Sequence, residues 1–217
     1  MANRLVQEGA KVIAVGRRQD RLDGFVHKHG KEKASAVKFD ITDRRVMDQF
    51  VNNFAPPEKF ELDRFHSQID TNFSCFVDLT MKFLPFLMNQ KTETSLIYTG
   101  SNLAIVPTPK FTAYSVSKAA LNTFVLCLRE QLKDSSVRII EISPPPVQTE
   151  LHDWMSPEIG RKLGMPLDAF TDEAYRGLAS GSDQIVIGSI GPSDTFNEII
   201  DKRRTTFENL SKMMRDH

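Results

Sequence analysis

Residues 96–118, LIYTGSNLAIVPTPKFTAYSVSK, constrain the fold more than any other stretch of this chain. The apolar run Leu96-Ile97-Tyr98 reads as the end of a buried strand. Gly100 and Ser101 turn the chain into a proline-containing loop, and Tyr114 begins a helix. Tyr114 and Lys118 are four apart, so on that helix they share a face. A lysine ammonium beside a phenol favours the phenolate, which is what a tyrosine general acid/base requires near neutral pH. Ser101, thirteen residues upstream of Tyr114 at a strand end, is placed to hydrogen-bond the same substrate oxygen.

Other short apolar runs alternate with helical patterns. Lys11 to Val15 and Ala34 to Phe39 read as strands, separated by a helix with Leu22, Phe25 and Val26 on one face. Residues 2–8 read as the tail of a helix with Leu5 and Val6 inward and Gly9 as its C-cap. After Asp40, which Thr42 or Asp43 follows as a helix cap, a helix is expected to carry Val46, Met47, Phe50 and Val51. A long helix over 66–88 places Ile69, Phe73, Phe76, Phe83, Leu84 and Leu87 at helical spacing, and the helix from Tyr114 does the same with Leu121, Phe124, Val125, Leu128 and Leu132. Val137 to Ile142 and Gln184 to Gly188 complete the strands, residues 151–180 read as irregular with short helices, and a polar helix spans 198–214. This alternation predicts an α/β fold with a parallel sheet covered on both faces.

At 217 residues one well-buried domain over 1–217 is expected, with a lid-like, fairly apolar segment at 151–180 that carries Trp154, Met155, Leu163, Met165 and Phe170. Acidic and basic residues number 28 each, so no one-signed field invites nucleic acid. No apolar run approaches the ~18 residues of a membrane span. The first residues, MANRLVQEGAKVIAVGRR, hold no signal-peptide core, so a cytoplasmic protein without membrane partners is expected. Cys75 and Cys127 stand in apolar helical context and read as core packing. The five histidines lack metal-ligand spacing.

Ser101 followed by Tyr114-Ser115-Val116-Ser117-Lys118 resembles the Ser…Tyr-x-x-x-Lys signature of the short-chain dehydrogenase/reductase family, in particular its DltE-like oxidoreductases. The resemblance implies a Rossmann-like, doubly wound parallel sheet and an NADP(H)-dependent reaction that moves a hydride between the nicotinamide and a small-molecule carbonyl or secondary alcohol. It implies that Tyr114 transfers the proton, that Lys118 lowers its pKa and holds the nicotinamide ribose, and that Ser101 orients the oxygen. Asn72, in Asp70-Thr71-Asn72-Phe73, matches the family asparagine that kinks its helix and orders a relay water. Arg17 and Arg18 follow the first visible strand, where guanidinium groups fork onto a 2′-phosphate and favour NADP over NAD. Asp40 stands where the family contacts adenine. Pro144 to Thr149 resembles the segment Pro-Gly-x-Val-x-Thr, which implies that the Val147 backbone and the Thr149 side chain meet the nicotinamide amide; Pro145 replaces the family's glycine. Helices 66–88 and 114–133 resemble those of the family's four-helix interface, implying a homodimer or tetramer.

Two family elements are not legible. The chain starts inside the helix that follows the Gly-rich strand-turn, and no Gly-x-x-x-Gly-x-Gly precedes Arg4. Between Asp40 and Asn72, residues 53–64 hold two prolines and no apolar run, so the Asn-Asn-Ala-Gly strand is expected to be absent as well. The expected sheet is thus an incomplete one, lacking its first and fourth strands. The remaining strands would close up as 3-2-5-6-7 or leave a gap. The sequence leaves open a truncated gene model or splice variant of a complete enzyme, and a genuine short protein. It also leaves open two functions other than oxidoreduction. One is a cofactor-free isomerase, lyase or cyclase that uses Tyr114 and Lys118; the other is a non-catalytic dimerisation partner.

Overall fold

A computed structural model describes residues 2–40, 62–152, 158 and 162–215. The expected helix with Val46, Met47, Phe50 and Val51, most of the proline-containing interval after it, and Trp154 and Met155 lie outside the described residues. The chain forms two compact units, 1–60 and 61–217.

In the first unit, β1 (Val12–Gly16) and β2 (Ala34–Lys38) pair in parallel, Val12 opposite Ala34 and Gly16 opposite Lys38. The crossover between them is α2 (Gln19–His29), which buries Leu22 and ends at Gly30, whose positive φ of 78° suits a residue without Cβ. Before β1, α1 (Ala2–Gln7) buries Val6 and stops at Gly9. Leu5, expected inward, is exposed, as are Ile13 and Val15 on alternate positions of β1. A six-residue helix presents only a narrow stripe to one sheet, and Val6 occupies it.

The second unit holds a three-stranded parallel sheet in the order β3-β4-β5, made of Thr94–Thr99, Val137–Ser143 and Gln184–Val186. Leu96 lies opposite Ile139 and Tyr98 opposite Glu141. One face packs on α5 (Thr112–Gln131) and on a long helix built from α3 (Leu62–Ile69), a π-turn (Asp70–Ser74) and α4 (Cys75–Met88). Tyr98, Leu121, Val125, Leu128, Val137 and Ile139 form that core. Each fully buried aliphatic side chain there contributes about 1.5–3 kcal/mol. The opposite face packs on α6 (Leu167–Ala179) through Ile140, Ile142, Ala174 and Ile185. A last helix, α7 (Ser193–Arg215), buries Phe196 and Ile200.

The described strands therefore form two sheets, and among the described residues there is no single sheet of order 3-2-5-6-7. The double covering is also partial. β4 is buried on both faces, as a central strand, but Ile97 of β3, expected to be buried, is 52% exposed because α6 packs on β4 and β5 rather than on β3. Four further expectations change. Phe83 is exposed, with Leu79 and Phe86 on the same stripe of α4. Cys75 and Cys127 are exposed rather than packed in the core. The segment 167–179, read as irregular, is a regular helix whose Phe170, Ala174 and Leu178 follow the i, i+4, i+8 pattern. The terminal helix begins at Ser193, five residues before the expected start.

Candidate active site

The site candidates in the second unit gather where β3 ends and α5 begins. The Gly100 amide donates to the Ile142 carbonyl at 2.8 Å and so extends the sheet by one residue. Gly100 has no room for a side chain: an added Cβ would lie 2.9 Å from Ser143 Oγ and 3.1 Å from Glu141 Cδ. Ser101 is buried, and its Oγ accepts from the Leu103 amide at 3.2 Å, which opens a 3₁₀ turn over Asn102–Ala104. Asn102 then pins the loop to two other strand ends. Its amide donates to the Pro144 carbonyl at 3.2 Å, and its Nδ2 to the Ile187 carbonyl at 2.9 Å.

Helix α5 delivers Tyr114 in its first turn and Lys118 one turn later. Lys118 is only 8% exposed. Its Nζ donates to the Thr99 carbonyl at 2.9 Å, two residues before Ser101, and lies 5.8 Å from the Tyr114 ring centroid and 5.9 Å from that of Phe76. Burial lowers the Lys118 pKa, and the negative charge of Glu141 partly opposes that shift. The Lys118 ammonium thus stands near the face of the Tyr114 ring and is also tied to the strand that carries the serine. No hydrogen bond joins Ser101 to Tyr114 among the described residues.

Asn72 sits in the π-turn, where the helix widens by one residue per turn, a feature that often marks functional positions. Its Nδ2 donates to Gln68 Oε1 at 2.9 Å and to Ser117 Oγ at 3.2 Å; Ser117 in turn donates to the Tyr114 carbonyl at 2.7 Å. Asn72 therefore reaches the tyrosine's own backbone through a single hydroxyl.

After β4, Val147 forms a parallel bridge with Met165, locked by Gln148 N to Met165 O and Met165 N to Pro146 O, both at 2.9 Å. Thr149 Oγ1 donates to the Val147 carbonyl at 3.4 Å and accepts from the Leu151 amide at the same distance. Val147 and Thr149 thus share one short turn.

In the first unit, Arg17, Arg18 and Arg21 line an open groove with Val15, Gly16 and Leu22 at the carboxyl end of β1. Arg17 Nη1 is 3.7 Å from Asp40 Oδ2, with both side chains largely exposed, so the pair itself is worth little. The sequence reading named Arg17, Arg18 and Asp40 but missed Arg21, which one helical turn brings into the same groove.

Among the described residues two buried acceptors lack a partner, Asn102 Oδ1 and Glu141 Oε1, and sequence reasoning singled out neither residue. A signal was present for Glu141: it is the one carboxylate in the otherwise apolar run Ile139-Ile140-Glu141-Ile142.

A serine at a strand end, a tyrosine and lysine one turn apart, and strand-helix alternation coincide with a family model. The model described as "short chain dehydrogenase" matches residues 1–57 and 51–159. This chain is a short-chain dehydrogenase family member. The oxidoreductase DltE of Bacillus subtilis (strain 168), itself called uncharacterized, is 26% identical over 234 aligned positions, covering 99% of this chain and 90% of that protein. That alignment is longer than the chain, so some positions of the relative have no counterpart here. A serine 3-dehydrogenase from Agrobacterium fabrum (strain C58 / ATCC 33970) is 32% identical over 169 positions, covering 69% of this chain and 67% of that protein. Among solved structures, a short-chain dehydrogenase from Sphingobium yanoikuyae in complex with NADPH superposes with a TM-score of 0.58 at 16% identity, covering 95% of this chain and 89% of that one. The family member has a Rossmann-like α/β fold, and the family's oxidoreductase lineage is its own.

Proposed function

We propose that this short-chain dehydrogenase is an NADP(H)-dependent oxidoreductase that interconverts a small carbonyl compound and its secondary alcohol. The observation that carries the reading is the buried Lys118 ammonium, held on the Thr99 carbonyl and 5.8 Å from the Tyr114 ring, beside the Ser101 turn. The Tyr114 hydroxyl gives its proton to the substrate oxygen in reduction and takes it back in oxidation. Lys118 sets a positive charge beside the tyrosine ring, and Ser101 Oγ orients the substrate oxygen. Asn72 steadies the first turn of α5 through Ser117.

Each unit, taken by itself, carries residues that suit part of such a cofactor. The Arg17, Arg18 and Arg21 groove suits a 2′-phosphate, with Asp40 beside it for adenine. Lys118, Val147 and Thr149 would hold the ribose and nicotinamide amide. NADPH, when bound, supplies the hydride. The reaction runs in the cytoplasm, and α6, within the segment read as a lid, instead covers one face of the sheet. It works as a homodimer or tetramer through helices 66–88 and 114–133, whose exposed stripes carry Cys75, Leu79, Phe83 and Phe86 on one and Val116 and Cys127 on the other.

The test is NADPH consumption with a panel of small ketones and aldehydes, comparing wild type with Tyr114→Phe and Lys118→Met. Loss of the single proton donor should lower kcat by about 10²–10⁴-fold, with NADPH affinity retained in Tyr114→Phe. Turnover in Tyr114→Phe equal to wild type would refute the assignment.

A further inference from the structure

Glu141 is 2% exposed. Its Oε2 accepts from Asn122 Nδ2 at 2.7 Å, while Oε1 is buried without a partner among the described residues. Asn122 follows Tyr114 and Lys118 at the same four-residue spacing on α5, so the three lie in one row. Arg203 of α7 donates to Asn122 Oδ1 and fixes the amide so that its NH₂ group faces the glutamate. On the other side of Glu141 lies Gly100, whose missing Cβ leaves the space the carboxylate fills. A carboxylate in such a place is costly, and Gln would keep a partner for Asn122 without the charge.

The charge itself therefore calls for a role, and the buried cation on the same row provides one. We propose that Glu141 is a positioning residue for the Tyr114–Lys118 pair: from beneath Gly100, and held by Asn122 and Arg203, its carboxylate keeps the neighbouring Lys118 charged and seated on Thr99. This rests on the reading that Tyr114 and Lys118 do the proton transfer. The charged and titratable groups acting on Glu141 are Arg129 and Lys118 from α5 and Arg203 from α7, with Tyr98 opposite it on β3. Those facing Lys118 are Glu141 and Tyr114. The couplings agree in sign: Glu141 favours the ammonium, and Lys118 favours the carboxylate.

Burial nevertheless raises the Glu141 carboxyl above its ordinary 4.5, against the opposing Asn122 hydrogen bond and the Arg129, Arg203 and Lys118 charges. The folded protein thus keeps a proton that the unfolded chain has released, and stability falls as pH rises through that window. Glu141→Gln escapes this loss. The inference predicts two results for Glu141→Gln. Its melting temperature should gain on wild type as pH rises from 4.5. Lys118 should also titrate at lower pH, followed by NMR of isotope-labelled lysine side chains with Lys118→Met to assign the signal. In carbonyl reduction the alkaline limb of kcat/KM should move to lower pH, with about a threefold or greater extra loss of activity on that limb.

An unchanged Lys118 titration together with a variant less stable at every pH would overturn the proposal and leave Glu141 as a structural group. If the protein turns over no carbonyl compound with NADPH, the oxidoreductase reading fails, while the lysine titration still decides the role of Glu141. Should Glu141→Gln not fold, Asn122→Ser removes the donor to Oε2 and should shift Lys118 in the same direction; no shift there also overturns the proposal.

Discussion

Replacing Gly100 with alanine tests the link between the fold and the site. The new methyl would fall within van der Waals contact of Glu141 Oε1 and Cδ and of Ser143 Oγ, the last at 2.9 Å. None of these can retreat freely. Glu141 is held by Asn122, and the Gly100 amide is bonded to Ile142. Overpacking a tight site costs about 1–3 kcal/mol, and breaking the charge-assisted Asn122–Glu141 bond adds about 1.5–3 kcal/mol if the carboxylate is the part that moves. A loss of about 3 kcal/mol is therefore expected. With a urea m-value of about 2 kcal/mol/M, the midpoint should fall by about 1.5 M. Far-UV circular dichroism against urea measures it directly. A midpoint within about 0.2 M of wild type would refute the claim that Glu141 fills the space under Gly100.

Other perturbations separate the remaining forces. Arg204 grips Asp183 through two hydrogen bonds of 2.6 and 2.9 Å, and Arg129 Nε stands 3.2 Å from the same carboxylate. Burial alone would raise the Asp183 carboxyl, but these arginines hold it below its ordinary 3.8. The stabilisation is complete above 3.8 and is lost as pH falls through the folded value. Asp183→Asn should cost about 1–2 kcal/mol at neutral pH, a figure kept low because the pair is one-third exposed, and the gap from wild type in urea denaturation should narrow in acid. Gly24→Ala in α2, where an added Cβ meets nothing within 4 Å, should instead stabilise the first unit by about 0.5–1 kcal/mol, read as slower hydrogen exchange of the α2 amides. Phe83→Glu with Phe86→Glu should convert the oligomer to monomer in sedimentation velocity, because Phe86 is 64% exposed and both lie on the proposed contact stripe.

The strands were the most legible part of the fold. Lys11 to Val15 and Val137 to Ile142 are short runs rich in Val and Ile, Ala34 to Phe39 is a short run of mainly small and apolar residues, and each became a strand within a residue or so. The Tyr114–Lys118 spacing and Asn72 were legible because family motifs mark them, and all three residues lie in the elements expected. Burial was less legible, as were the sheet order, the helix at 167–179 and the start of the last helix. From Cys75 to Met88 the chain is apolar nearly all round the helix, so periodicity could not tell the face on the sheet from the exposed stripe of Leu79, Phe83 and Phe86. Cys75 and Cys127 were misplaced for the same reason. Ile97 looked like a buried-strand residue, but whether its face is covered depends on how far α6 reaches across the sheet, a tertiary fact absent from local pattern. Glu141 and Asn102 were passed over because their meaning lies in partners 19 and 85 residues away.

The central claim is that this family member uses NADPH, and a titration of the purified protein with NADPH, followed by nicotinamide fluorescence with NADH alongside, tests it most directly. Three arginines at the end of β1 predict saturable binding that is tighter for NADPH and weakened about tenfold or more in Arg17→Ala with Arg18→Ala, as the loss of a charge-assisted phosphate contact requires. No binding of either nucleotide up to millimolar concentration would contradict the account and leave Tyr114 and Lys118 as a proton-transfer pair without a redox partner.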